Sequence, residues 1–161
     1  MKLFLKFADR LSNFGAYLAS FLYIALVILI LTEIVLRAFF DKSTMIADEY
    51  SGYFYLASVF FGLGYTFKQN GHIRITIITS KLNNKAKKYI DIFASTISLA
   101  VVLFILYRVI LLTLDSYSFE VLSEGVSQTP IYLTQIPMVI GTFIFAISIL
   151  AFLLKRLKDD I

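Results

Sequence analysis

The 161-residue chain is 59% hydrophobic and only 16% charged, whereas a soluble domain carries roughly 45–50% apolar and about 25% charged residues; the excess is too large for one water-soluble core and must face lipid or other membrane helices. The absence of cysteine excludes a disulfide framework, a zinc–thiolate site and an iron–sulfur cluster from this chain, and a single histidine argues against a bis-histidine haem anchor unless a partner supplies the second ligand. The net charge of +4 is read as loop charge, as is usual in membrane proteins, so no nucleic-acid partner is expected.

Four apolar stretches follow in chain order. Residues 14–32 carry no charge over 19 positions. The run is too long for the core of a cleaved signal and ends in Glu33 and Arg37, so it reads as a retained helix. Residues 50–67 carry no charge over 18 positions, and residues 92–107 none over 16, with the third stretch continuing past Arg108 to Leu114. A helix needs roughly 20 apolar residues to cross a bilayer, and Arg108 can snorkel to an interface. The fourth stretch, residues 125–154, is uncharged over 30 positions and contains Pro130 and Pro137. Pro130 suits the first turn of a helix, and Pro137 lies inside it, where it is expected to kink the backbone. The expected fold class is therefore an all-α integral membrane protein. It forms a single domain of four transmembrane helices, with spans at about 14–36, 49–67, 89–112 and 131–154.

Orientation follows from the basic residues. Twelve of the 15 lie in the N-terminal tail, the loop 68–88 and the C-terminal tail. Acidic residues show the opposite bias, with Glu33, Asp41, Asp48, Glu49, Asp115, Glu120 and Glu124 at the other side. Both termini are thus expected in the cytoplasm. Tyr50, Tyr53, Tyr107 and Tyr132 fall near the outer boundary and suit an interfacial belt. Within the middle loop, residues 72–82 read HIRITIITSKL. That pattern fits a short amphipathic segment in the cytoplasmic interface, with a plain tether as the alternative.

Catalytic motifs are absent: there is no phosphate-cradling glycine loop and no metal-ligand cluster. His72 lies in a basic loop and is expected to pack rather than react. No enzyme activity and no cofactor in this chain are expected. Glu33 and Arg37 are four residues apart and can pair on one helix face. The sharper expectation is that Arg37 reaches Glu49 and clamps the corner between the first two spans. No ionisable residue lies deep in a span, which argues against an ion or proton path through this chain. Small residues offer close helix approach: Ser58 with Gly62, Ala94 with Ser98, and Gly64 and Gly141. Sixteen phenylalanines and ten tyrosines sit mostly in or beside the spans. A bundle this small has little interior, so many of them must face lipid or another protein.

Three pieces of this sequence carry a family resemblance. They are Arg37 followed by DEYSGYFYLASVFFGLGYTF, with Glu49, Gly62 and Gly64; NGHIRI, with Gly71 and His72; and TPIYLTQIP, ending at Pro137. Over nearly its whole length the chain resembles the small membrane subunit (DctQ-type, the Q component) of tripartite ATP-independent periplasmic (TRAP) transporters. The lack of tryptophan departs from the family's habit. The resemblance implies a large elevator-type membrane subunit as partner, carrying substrate and sodium, and a periplasmic substrate-binding protein. The small subunit would sit in the bacterial inner membrane, hold the scaffold and help dock the binding protein. Typical family substrates are organic acids such as C4-dicarboxylates or sialic acid. Arg37 and Glu49 would then be a structural clamp, and Gly71–His72 the turn that seats the amphipathic loop. A self-sufficient four-helix exporter and a membrane anchor for an enzyme complex are the competing readings. The first usually carries a glutamate in mid-span, whereas Glu33 lies at the end of its span.

Overall fold

The computed structural model describes residues 1–69 and 83–158. Four helices are present among them: α1 (Lys2–Phe40), α2 (Ala47–Lys68), α3 (Asn84–Ser118) and α4 (Ile131–Lys158). In an apolar medium a helix satisfies its own backbone polar groups, which is why such sequences fold this way. Side-chain hydroxyls are satisfied by the same rule. Ser20, Thr32, Thr66, Thr96 and Thr113 each donate to the carbonyl four residues earlier, and Ser12 and Ser148 each have that carbonyl within 2.8 Å.

All the helices except α2 exceed what crossing requires. At about 1.5 Å per residue, the 39 residues of α1 and the 35 of α3 reach about 58 and 52 Å. A hydrocarbon core is about 30 Å thick. Helix α1 begins at Lys2, well before the apolar stretch, and α3 takes in residues 84–88, which the sequence places in the middle loop. The expected amphipathic segment at 72–82, with Gly71 and His72, lies outside the described residues.

Three of the four helices, α1, α3 and α4, are long and apolar enough to cross a membrane. Helix α2 falls short on composition, because Tyr50, Tyr53, Tyr55 and Tyr65 join three glycines and two serines in its 22 residues. Helix α2 packs against α1 on one side and α4 on the other, whereas α3 packs principally on α4.

The core follows from that order. Ala57, Phe61 and Ile144 form one buried cluster with Leu11, Leu18 and Leu22 of α1 against it. Val102, Ala146 and Ile149 form a second, between α3 and α4. In the most apolar stretch of α1 and of α3 only 11% of residues are buried, against 33% in α4, so the outer helices leave most of their apolar surface bare. Along α1, Phe14, Tyr17, Phe21, Ile24, Ile28 and Leu31 are all more than half exposed and recur at alternating three- and four-residue steps. Pro137 lies inside α4, which runs on without a break to Lys158.

Candidate functional site

Glycines decide how closely the inner helices approach. A Cβ added at Gly141 would lie 2.6 Å from the Phe60 backbone, and one at Gly15 would lie 2.7 Å from the Phe61 carbonyl oxygen. At Gly64 it would meet Ser148 Oγ at 2.9 Å. These three glycines therefore mark backbone contacts of α2 with α1 and α4. Gly62 does not: a Cβ there would find only Ala19, at 3.9 Å. Of the expected small-residue positions, Gly64 and Gly141 pack tightly, Gly62 faces an open groove, and Gly15 was not foreseen.

Two carboxylates organise the end of the bundle where α1 meets α2 and α3 meets α4, here the loop end. Asp41, with φ of 52°, ends α1 in a left-handed turn that aspartate tolerates. The chain then folds back over Glu33. That carboxylate accepts from Arg37 Nε at 2.6 Å, Ser43 Oγ at 2.5 Å, Thr44 Oγ1 at 2.5 Å and the Thr44 amide at 2.9 Å. Glu33 is only 6% exposed. A buried carboxylate is tolerable when donors replace its water, and here four do.

The expected Arg37–Glu49 clamp is not formed. Arg37 pairs with Glu33 and reaches Asp48 at 4.0 Å. Asp48 and Glu49 are consecutive on a helix and so point about 100° apart. Asp48 faces α1; Glu49 faces the α3–α4 connection. There Tyr53 Oη donates to Glu49 at 2.6 Å and Ser127 Oγ at 2.7 Å. Ser127 also shares a 2.7 Å hydrogen bond with Thr129 Oγ1, which meets Tyr50 Oη at 3.1 Å. Gly125 lies directly against the Glu49 carboxylate, and a Cβ there would overlap its Oε2. The connection is closed on itself as well. The Ser123 amide donates to the Thr129 carbonyl at 2.9 Å, and the Ile131 amide to Val121 at 3.0 Å.

The opposite end, where α1 begins and α4 finishes, is tied by cations. Lys68 Nζ of α2 lies 3.1 Å from Asp9 and 3.2 Å from Asn13 Oδ1, both on α1. Arg156 of α4 pairs with Asp91 of α3 at 2.8 Å and stacks over the Phe152 ring. Between these pairs, Ser12 and Ser148 share a buried 2.8 Å hydrogen bond across α1 and α4.

The family described as tripartite ATP-independent periplasmic transporters, DctQ component, matches over residues 26–159. The chain belongs to that family. A Haemophilus influenzae protein provisionally named a TRAP transporter small permease protein is similar to it, 26% identical over 140 residues, which cover 87% of this chain and 85% of that protein. No solved structure matches the chain. As a DctQ family member the protein is a transport component and not an enzyme, and a multi-pass protein of the inner membrane. The family in general works with a large membrane subunit and a binding protein.

Both carboxylate sites fall within the matched DctQ region, whereas Asp9, Ser12 and Gly15 precede it. The partners of Glu49 were missed in the sequence, although its one cue was there: the serine- and threonine-rich run SEGVSQT at residues 123–129. The Asp91–Arg156 and Asp9–Lys68 pairs were also missed. Each joins different helices, and spacing within one helix says nothing about such partners.

Proposed function

We propose that this chain is the small scaffold subunit of a sodium-coupled, binding-protein-dependent TRAP transporter for organic acids. It holds the static frame around a large elevator-type subunit, which carries the sodium and the substrate. Carboxylates such as C4-dicarboxylates or sialic acid are the expected substrate class. Helix α2 serves as a fourth span, since its 22 residues reach about 33 Å, and both termini lie in the cytoplasm, as the basic residues favour. The loop end then faces the periplasm and helps dock the binding protein.

One observation carries this reading beyond family membership: the bare apolar faces of α1 and α3. Lipid covers part of such a surface. The exposed apolar stripe on α1, at regular helical steps, suits a packed membrane partner. Reconstitution tests the proposal. Liposomes holding this chain, the large subunit and the binding protein should take up an organic acid on a sodium gradient, and omission of this chain should abolish uptake. Substrate or proton flux through liposomes holding this chain alone would overturn it.

A further inference from the structure

A cavity of about 230 Å³ opens between α1, α2 and α4 at the end where α1 begins. Asp9, Ser12, Lys68, Ser148 and Lys155 supply its polar groups. Its apolar wall includes Leu5, Phe67, Ala151 and Phe152. The two hydroxyls are committed to each other and to helix carbonyls. Lys68 is neutralised by Asp9 at 3.1 Å. Lys155 is exposed and has no acidic partner among the described residues. Counted over its lining residues, Lys68 and Lys155 against Asp9, the cavity carries one positive charge in excess.

Depth identifies the ligand class. Lys68 and Lys155 each directly follow an uncharged stretch, residues 50–67 and 125–154. Their ammonium groups thus stand where the hydrocarbon region gives way to phosphates, with apolar walls beside them. We propose that this cavity binds the headgroup of one anionic phospholipid. Its phosphate meets Lys155 and Lys68, and its glycerol and first acyl carbons lie along Phe67, Ala151 and Phe152. Basic pockets between membrane helices recognise such headgroups by charge at the interface. The site lies beside the Ser12–Ser148 hydrogen bond that joins α1 to α4. The inference depends neither on which end faces the cytoplasm nor on the transport role.

The test uses the full chain, purified from membranes in mild detergent with any subunit that accompanies it. Dioleoyl-phosphatidylglycerol should raise its thermal midpoint, and dioleoyl-phosphatidylcholine should not. Lys155→Gln should weaken the apparent phosphatidylglycerol affinity about fivefold, the effect of one basic residue at an anionic surface. Lys158→Gln, on the same helix end but outside the cavity, should leave it unchanged. Ala151→Phe should fill the cavity and abolish the rise. An equal rise with phosphatidylcholine, or an unchanged affinity in Lys155→Gln, overturns the proposal. The same rise with inorganic phosphate alone makes this a free-anion site and overturns the lipid assignment.

Discussion

At the loop end, Glu33 and Glu49 each gather hydroxyl donors and hold a connecting segment against a helix. At the opposite end, Lys68–Asp9 and Arg156–Asp91 tie one helix directly to the next. The first arrangement shapes loops; the second only fastens helices. Between Glu33 and Asp9 the difference lies in exposure. Glu33 is almost fully buried, so its donors are irreplaceable, whereas the Asp9 side chain is 58% exposed and water can substitute for Lys68.

Four experiments can break or sharpen that contrast. Reversing Arg37 and Glu49 together (R37E with E49R) should give the largest loss. Each residue serves a different partner set, so the double variant should be at least as unstable in detergent as the worse single variant; rescue would restore the discarded clamp. Glu33→Ala should follow, lowering the thermal midpoint by roughly 5–10 °C, because Ser43, Thr44 and Arg37 lose their common acceptor. Gly125→Val should cost about 2 kcal/mol, since the new side chain displaces the Glu49 carboxylate; Gly62→Val, facing the open groove, is its control. The cation-tied end should respond least. Lys68→Gln, at the exposed pair with Asp9, should cost under about 0.5 kcal/mol. Raising salt to about 1 M should shrink the Lys68 effect further while leaving that of Glu33. A Lys68→Gln loss as large as that of Glu33→Ala would erase the distinction between the ends.

Much of the helical layout was legible because hydropathy and helix period are local properties. The apolar runs at 14–32 and 92–107, and residues 131–154 of the fourth run, lie within the long apolar helices. The Glu33–Arg37 pair was legible for the same reason: four residues is one helical turn. The second helix shows where this logic weakens. Its tyrosines and glycines dilute the hydropathy, although it packs against both α1 and α4. Pro137 stands inside its helix, as its place in the fourth apolar run led one to expect, although it removes one backbone donor.

Composition and order along the chain thus settled that this is an apolar helical protein with its basic residues gathered toward one side, since every term in that inference is summed over neighbours in sequence. Which carboxylate meets which donor came from packing alone. Ser127 stands 78 residues beyond Glu49, and Ser148 stands 136 beyond Ser12. Such partners are chosen by how α2 and α4 approach through Gly64 and Gly141, and by the 100° that turns Glu49 away from Arg37 and toward Gly125.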